Sequence, residues 1–271
     1  MKLEVGKRIK RILIGIGIIF IVSIFIFISL DSPQTNFVRN NNDIILFAHR
    51  GYVFSAPENT YKSILKAKEK GFVAVEIDIS STSDNRLVLF HDEELERLLK
   101  IEGKINEKSL KELKQLNIFW RDSLSKQTVI ELDSIFYRFP DLLYYLDIKD
   151  PSKKNIDKLS KLIKKYNLED RAIIAHAKLL PHFYTKLIHP KINIALEGID
   201  SNKYKWIKYI PNRLKPDFYS SFLHKANSNQ MDYYKKKNMM NKIIVYGVNE
   251  DNYKKAIEDY GLRNLIIDLE K

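Results

Sequence analysis

The chain has 271 residues, 46 Lys and Arg against 34 Asp and Glu, a formal net charge of +12, and no cysteine. The length suits one large domain with an appendage, and a hydrophobic content of 45% excludes wholesale disorder. The absence of thiols excludes a disulfide framework, a thiolate metal site and a cysteine nucleophile.

The N-terminal segment predicts a membrane anchor. Residues 12–30 carry no charge, are rich in Ile and Phe, and would form a helix about 28 Å long. A cleaved signal peptide is the alternative, but the apolar run is long for one and residues 28–30 make a poor cleavage site. By the positive-inside rule, the basic tail of residues 1–11 would be cytoplasmic and the rest would lie outside a membrane crossed once. The basic residues directly before the run are Lys7, Arg8, Lys10 and Arg11.

The positive charge beyond the tail has two interpretations. Solvated lysine faces are the simpler one, and attraction to anionic lipid or to a polyanionic envelope polymer is the functional one. Nucleic acid is not expected as a partner, because no basic stripe alternates with aromatic residues and the domain would lie outside the cytoplasm.

Residues 31–42 are polar and predict a short stalk, so the globular domain would comprise residues 43–271. Strand and helix signals then alternate without repeats, which favours an α/β fold with a parallel sheet, and we expect a (β/α)8 TIM barrel. An open doubly wound sheet is the alternative. A closed barrel needs eight strands, so one of nine candidates is in excess, and 218–221 is the weakest. The candidates are residues 44–48, 72–79, 87–90, 143–148, 172–175, 192–196, 218–221, 243–247 and 265–267.

Local signals also predict two helix starts. Asn59 or Thr60 can cap a helix that Gly71 ends. The segment that begins at Ser109 has the pattern of a capping box.

Only seven residues, 80–86, separate the second and third predicted strands. Fully extended they span at most about 23–25 Å, which just permits a bare parallel crossover. A hairpin would place Asp78 and His91 at opposite ends of the sheet. Because the chemistry needs both side chains together, we expect the crossover.

Five ionisable residues lie at predicted strand ends, where the catalytic groups of an α/β barrel are found. Glu76 and Asp78 are two positions apart and project from the same face of their strand. Neighbouring carboxylates repel unless a cation joins them, and oxygen ligands suit Ca²⁺ or Mg²⁺. We expect a divalent cation there, which would bind a non-bridging oxygen of the phosphodiester and neutralise charge as the phosphorane forms. The other three residues are His49, His91 and Asp147.

The remaining groups complete a phosphodiester-cleaving set. His49 and His91 can act as general base and general acid near neutral pH. Arg50 offers a forked donor for phosphate oxygens, and Lys149 offers a point charge. The other histidines, His176, His182, His189 and His224, are interpreted as structural.

These segments resemble the glycerophosphodiester phosphodiesterase family. Residues 47–51 (FAHRG) are similar to the opening strand of the family, residues 56–60 (APENT) to its PENT segment, and residues 146–149 (LDIK) to its Leu-Glu-Ile-Lys segment. Its second and third strands are matched by residues 75–79 (VEIDI) and 88–92 (VLFHD). The resemblance covers residues 44–150 well and is thin beyond, where YGVN at 246–249 stands for Trp-Thr-Val-Asn and Ile267-Asp268 for Thr-Asp.

The resemblance implies a role for each matched residue. Glu76, Asp78 and Asp147 would bind the metal, although Asp147 is one methylene shorter than the glutamate of the family. His49 and His91 would be the acid and base, Arg50 and Lys149 would contact phosphate, and Glu58 would lie near the metal.

The resemblance further implies attack on phosphorus by a neighbouring glycerol hydroxyl, giving a cyclic phosphate that water opens. We predict a metal-dependent phosphodiester hydrolase that acts on glycerophosphodiesters, giving an alcohol and glycerol phosphate. The substrates would be deacylated phospholipids, lysophospholipids or glycerol-phosphate envelope polymers.

Three alternatives remain open. A lysophospholipase D-like or sphingomyelinase D-like enzyme would share both histidines. A relative of bacterial phosphatidylinositol phospholipase C is less compatible with the carboxylate cluster. A non-catalytic envelope binding protein could keep the barrel for binding alone.

Overall fold

The computed structural model of this chain describes residues 2–30, 37 and 44–270. The first element is a long helix, α1 (Lys2–Ser29), whose segment Gly6–Phe27 is long and apolar enough to cross a membrane and is not buried in the protein. The predicted stalk, residues 31–42, and the predicted start of the domain at residue 43 lie outside the described residues, except for Phe37. The ring of Phe37 contacts that of Phe218 at 5.4 Å between centroids.

The described residues contain eleven strands, and eight of them form a closed parallel barrel as predicted. In chain order the strands are β1 (Ile45–His49), β2 (Ala74–Ser81), β3 (Leu87–Leu89), β4 (Asn117–Trp120), β5 (Ser123–Thr128), β6 (Leu143–Ile148), β7 (Ala172–His176), β8 (Asn193–Glu197), β9 (Phe218–Phe222), β10 (Ile243–Asn249) and β11 (Asn264–Asp268). The order around the barrel is β1-β2-β6-β7-β8-β9-β10-β11, and β1 pairs with both β2 and β11. The short strands β4 and β5 form a separate hairpin.

The excess strand among the nine predicted ones is 87–90, and the prediction that 218–221 was the weakest is wrong. Phe218–Phe222 is a barrel strand between β8 and β10, whereas β3 pairs with β2 in antiparallel orientation. The predicted parallel crossover is therefore also wrong. Residues 82–86 form a hairpin turn in which Asn85 has a φ of 59°.

The hairpin still brings His91 to Asp78, because β2 extends beyond the end of β1, with which it pairs only as far as Glu76. The antiparallel pairing begins at Ser81 with Leu87 and ends at Ile79 with Leu89, so it lies on this extension. The returning chain then descends, and the amide of Phe90 donates to the Asp78 carbonyl at 3.1 Å. The expectation that a hairpin would place Asp78 and His91 at opposite ends of the sheet is therefore wrong.

Helices and short turns form the outer layer. Thr60 and Ser63 form a capping box at the start of α2 (Tyr61–Glu69), and Gly71 follows the end of this helix with a φ of +79°. Ser109 caps α4 (Leu110–Leu113), as predicted. Between β8 and β9 the chain forms two 3-10 segments, Tyr204–Tyr209 and Asn212–Leu214, in place of a helix. The helices after α1 are α2 (Tyr61–Glu69), α3 (Glu96–Leu99), α4 (Leu110–Leu113), α5 (Leu132–Arg138), α6 (Lys153–Lys165), α7 (Leu179–Ile188) and α8 (Ser228–Lys236).

Side-chain alternation along the strands sets the position of the site. On β2, Val75, Ile77 and Ile79 pack with the outer helices, whereas Ala74 belongs to the apolar cluster that fills the barrel lumen. Glu76 and Asp78 lie on the same side of the strand as Ala74, so both carboxylates stand above the filled lumen at the carboxyl end of the barrel.

Candidate active site

A pocket of roughly 400 Å³ lies at the carboxyl end of the barrel. Seven of the eight residues predicted for the site line it, and Glu58 lies outside the lining. The pocket is lined by His49, Arg50, Glu76, Asp78, His91, Tyr145, Asp147, Lys149, Glu197, Phe222, Tyr246, Gly247, Ile266 and Asp268.

Three carboxylates form one cluster on two neighbouring strands. Glu76 and Asp78 are almost fully buried, Asp147 is partly buried, and each offers an oxygen within 4.8 Å of the others. The register of β2 with β6 pairs Asp78 directly with Asp147. These are hard oxygen donors on adjacent rigid strands, so the group could hold a metal ion.

Lys149 balances part of this negative charge. Its Nζ lies 2.6 Å from Asp78 Oδ1 and 2.6 Å from Asp147 Oδ2, and Arg50 Nε lies 3.3 Å from Asp78 Oδ2. Burial raises the pKa of Asp78, but the positive charges of Lys149 and Arg50 outweigh it, and the net shift is downward. Asp78 is therefore ionised under ordinary conditions.

Glu76 lacks a comparable partner. Burial, and then the negative charge of Asp78, raise its pKa to about 8, although the Arg50 amide donates to Glu76 Oε2 at 2.9 Å. A cation between the carboxylates would remove this penalty, because it favours the charged form of each. The donor set of the cluster thus fits a hard divalent cation.

Asn59 supports Asp78 in a way that sequence reasoning missed. Its amide Nδ2 donates to Asp78 Oδ2 at 2.7 Å, and its Oδ1 accepts from the Asp78 backbone amide at 3.0 Å. The sequence had indicated Asn59 only as a candidate helix cap, a position that Thr60 takes. Asn59 has a φ of 55°, a left-handed conformation that asparagine tolerates better than most residues.

His49 is held by the last strand of the barrel. Its Nδ1 lies 2.9 and 3.0 Å from the two carboxylate oxygens of Asp268, and its Nε2 lies 3.9 Å from Glu76 Oε2. Burial lowers the pKa of His49, but the hydrogen bond to Asp268 and the charge of Glu76 outweigh burial, so the net pKa is raised. With Nδ1 directed at Asp268, Nε2 faces the pocket.

His91 ends a chain of ion pairs that reaches Arg50. Its Nδ1 lies 2.6 Å from Asp92 Oδ1, and Asp92 accepts hydrogen bonds from Arg97 Nε and Nη2 at 2.5 and 3.1 Å. Arg97 also donates to both carboxylate oxygens of Glu58, at 2.8 and 2.7 Å. Glu58 Oε1 in turn accepts from Arg50 Nη1 at 2.8 Å.

Glu58 therefore lies between two arginines. That it also lies near the metal stays a prediction. Burial raises the pKa of Glu58, but the hydrogen bond from Arg97 and the charge of Arg50 lower it by more. The net shift of this pKa is downward, so Glu58 is anionic. Arg97 is exposed, and its sequence context carried no signal for a site residue.

The opposite wall carries a carboxyl group that sequence reasoning also missed. Tyr145 OH donates to Glu197 Oε1 at 2.7 Å and lies 2.8 Å from Ser220 Oγ. Burial, and then the negative charge of Asp147, raise the pKa of Glu197 to about 7. Its position one residue after the predicted strand 192–196 is the same signal that identified His49, so Glu197 could have been found.

Aromatic side chains complete this wall. The rings of Phe222 on β9 and Tyr246 on β10 lie 4.2 Å apart between centroids. The pocket thus has a charged side on β1, β2 and β6 and a mixed aromatic and carboxyl side on β8, β9 and β10.

Comparisons with known proteins agree with the motifs. The model of the glycerophosphoryl diester phosphodiesterase family matches residues 49–269. A glycerophosphodiester phosphodiesterase of Caldanaerobacter subterraneus subsp. tengcongensis is 30% identical over 161 residues, which are 54% of this chain and 66% of that protein. One from Bacillus altitudinis is 24% identical over 189 residues, which are 61% of this chain and 72% of that protein.

Solved structures share the fold. A phosphodiesterase of Oleispira antarctica in complex with the product sn-glycerol-3-phosphate superposes with a TM-score of 0.72 and 22% identity, over 82% of this chain and 92% of that one. A glycerophosphodiester phosphodiesterase of Thermotoga maritima gives 0.66 and 22%, over 84% and 96%.

Proposed function

The chain belongs to the glycerophosphoryl diester phosphodiesterase family, and we therefore propose that it hydrolyses glycerophosphodiesters to an alcohol and glycerol phosphate. One observation carries the proposal: a single pocket is lined by the three carboxylates, the two histidines and the two positively charged side chains that such a reaction needs. The glycerol phosphate product of the Oleispira antarctica relative supports the same product class here.

Arg50 and Lys149 would bind the phosphate. Both are positive at neutral pH, both line the pocket, and both already lie within 3.3 Å of Asp78. Glu58 orients the Arg50 guanidinium from behind at 2.8 Å. A forked guanidinium and an ammonium group can contact different non-bridging oxygens of one phosphodiester.

Glu76, Asp78 and Asp147 would hold a divalent cation, Ca²⁺ or Mg²⁺. When bound, it would neutralise negative charge on the phosphate oxygens during attack. The support is the 4.8 Å grouping of the three carboxylates and the raised pKa of Glu76.

His49 and His91 would transfer the protons. One imidazole removes the proton from the glycerol hydroxyl next to the phosphodiester, whose oxygen then forms the new bond to phosphorus. The other protonates the leaving alkoxide as its bond to phosphorus breaks, and a cyclic phosphate results. In the second step the two exchange roles: water loses a proton, attacks phosphorus and opens the ring. Asp268 and Asp92 bind the Nδ1 atoms, which directs both Nε2 atoms to the substrate.

The proposed organisation keeps the expected boundaries: a cytoplasmic tail at residues 1–11, an uncleaved signal-anchor at 12–30, a stalk at 31–42 and the catalytic domain at 43–271. The length and composition of Gly6–Phe27 support the anchor. The catalytic domain would then lie outside the cytoplasm, where phospholipid-derived diesters, lysophospholipids and envelope polymers are available.

The test uses the full chain in detergent micelles, stripped of metal. Glycerophosphocholine, glycerophosphoglycerol and lysophosphatidylcholine would each be incubated with EDTA, Mg²⁺ or Ca²⁺, and products followed by phosphorus NMR. We expect metal-dependent glycerol phosphate or a cyclic phosphate from the glycerophosphodiesters, and none from the His49→Ala variant. Turnover of lysophosphatidylcholine alone would favour the lysophospholipase D-like alternative. Binding without turnover of any substrate would favour a binding protein.

A further inference from the structure

Exposed apolar side chains are concentrated on one side of the barrel. Among the described residues after residue 30, eleven large hydrophobic side chains are exposed, and six of these lie on α7 or on Tyr204–Tyr209. Leu180 is 80% exposed, Tyr209 68% and Trp206 65%. The other three are Leu179, Leu187 and Ile188. Grouped exposed apolar residues on a folded domain mark an interaction surface.

The name α7 flank is used here for three elements of the outer layer: α7 and the segments Tyr204–Tyr209 and Asn212–Leu214. α7 joins β7 to β8 and the two 3-10 segments join β8 to β9, so they are neighbours in the outer layer. His182 Nε2 on the inner face of α7 lies 2.8 Å from the Leu214 carbonyl oxygen. On its outer face, Leu180 and Leu187 are two helical turns apart and share one side.

The α7 flank is also positively charged. Residues 177–191 and 201–216 contain eight Lys and Arg and no Asp or Glu. Lys186 is buried and paired with Asp217, whereas Lys208 lies over the ring of Tyr209 at 4.7 Å. Apolar and aromatic residues among lysines are the composition of surfaces that bind anionic lipid.

The flank is continuous with the end of α1. The guanidinium of Arg213 lies 4.9 Å from the centroid of the Phe27 ring, and Phe27 is the last residue of the apolar stretch Gly6–Phe27. A helix that crosses the membrane in the proposed orientation ends near the outer headgroups at this point. The α7 flank therefore begins where the anchor leaves the bilayer.

We propose that the α7 flank lies on the outer surface of the membrane in which α1 is anchored, with Trp206, Tyr209 and Leu180 inserted among the headgroups. Trp and Tyr are enriched at this depth because each has an apolar ring and a polar group. The inference rests on the proposed anchoring by α1. It adds that the barrel itself contacts lipid.

Single-cysteine variants can test the contact, because the chain has no cysteine of its own. Leu180→Cys and Tyr209→Cys would each carry a nitroxide label in the full chain, reconstituted in phosphatidylcholine–phosphatidylglycerol vesicles. Tyr137→Cys is the matched control, since Tyr137 is 74% exposed on α5, away from the flank. We expect labels at 180 and 209 to relax more with oxygen, which partitions into lipid, and the label at 137 to relax more with an aqueous nickel chelate.

The outcomes separate this inference from the proposed anchor. In one outcome the chain floats with the vesicles, but the labels at 180 and 209 relax with the nickel chelate as strongly as the label at 137. That result overturns the inference and leaves the anchor in place. A chain that does not float overturns both. Labels shielded from both reagents show contact with a second copy, which also overturns it.

The two tryptophans provide a second measurement. In the Trp120→Phe variant, lipids brominated near the headgroup should quench the emission of Trp206. In the Trp206→Phe variant, Trp120 on β4 should remain unquenched. Equal quenching in the two variants would contradict the proposed orientation.

Discussion

Nδ1 of His49 lies 2.9 and 3.0 Å from the two carboxylate oxygens of Asp268, a residue 219 positions later in the sequence. The pairing of β1 with β11 places the two residues side by side at the same end of the barrel. Closure of the barrel therefore orients the first histidine of the site. We expect Asp268 to act as a positioning residue, because its carboxylate binds the His49 imidazole.

Asp268→Asn should lower kcat by about 10²-fold, because His49 loses the anion that orients its ring and stabilises its protonated form. The hydrogen bond to Asp268 raises the pKa of His49, so the pH profile of kcat should shift its His49 limb to lower pH. Profiles of the wild type and Asp268→Asn would show this. The exposed Asp251→Asn is the control, and an unchanged profile would mean that Asp268 does not act through His49.

His49→Ala and His91→Ala should each lower kcat by about 10²–10⁴-fold, because a positioned acid or base contributes that much. Metal binding should be unchanged, since neither imidazole belongs to the carboxylate cluster. Turnover and metal titration on the same preparations would measure both effects. More than about a tenth of the activity left in either variant would remove that histidine from its role.

Glu76→Gln should raise the divalent concentration needed for half-maximal activity, because the cluster loses one anionic oxygen ligand. Activity titrated with Mg²⁺ and with Ca²⁺ would give the change. The exposed Glu94→Gln should leave the requirement at the wild-type value. If Glu76→Gln behaves like Glu94→Gln, Glu76 is not a ligand.

Arg97→Gln should lower kcat by about 10–100-fold, since charge-assisted hydrogen bonds contribute about 1.5–3 kcal/mol each. Arg97 holds Asp92 behind His91 and Glu58 behind Arg50. Arg97→Lys should restore part of the rate, because a lysine can satisfy one of the two carboxylates. Arg86→Gln removes an arginine that pairs with Glu131 away from the pocket, and it should leave kcat unchanged. Loss of stability without loss of kcat in Arg97→Gln would make the role purely structural.

Glu197→Gln should change how stability depends on pH. The pKa of Glu197 is raised from 4.5 to about 7 in the folded chain, so the folded state keeps a proton that the unfolded state releases. The contribution of Glu197 to the free energy of unfolding should therefore fall by about 3 kcal/mol as the pH rises from about 4.5 to 7. Glutamine has no charge and keeps the hydrogen bond to Tyr145. The stability of the variant relative to the wild type should therefore increase as the pH rises from about 4.5 to 7.

Urea unfolding of the wild type and Glu197→Gln in EDTA, at pH values across this range, would measure the difference. The exposed Glu102→Gln should track the wild type at every pH. Parallel curves for the wild type and Glu197→Gln would contradict the raised pKa.

The barrel and most of the pocket could be predicted because both depend on local signals. Short apolar runs that end in His49, Asp78 or Asp147 mark strands with reactive groups at their carboxyl ends, and closure of the barrel brings these ends together. Neighbouring positions such as 76 and 78 share a face by strand geometry alone.

The remaining features depend on contacts between distant positions. The antiparallel pairing of β3 uses the part of β2 that extends beyond β1, and no local sequence pattern records that length. Arg97 reaches Glu58 across 39 positions, so its part in the site is visible only after folding. Glu197 is different. It follows the predicted strand 192–196 directly, so treating every ionisable residue at a predicted strand end as a site candidate would have included it.

The division of the pocket has an evolutionary consequence. The residues proposed to bind the cation, transfer protons and bind phosphate all lie between His49 and Lys149, and Asp268 contacts His49 from the last strand. Glu197, Phe222 and Tyr246 are carried by separate strands of the second half. We therefore expect substitutions in those later strands to affect which leaving alcohol is accepted more than they affect bond cleavage. Enzymes that descend from one ancestor could then differ in substrate specificity while catalysing the same reaction.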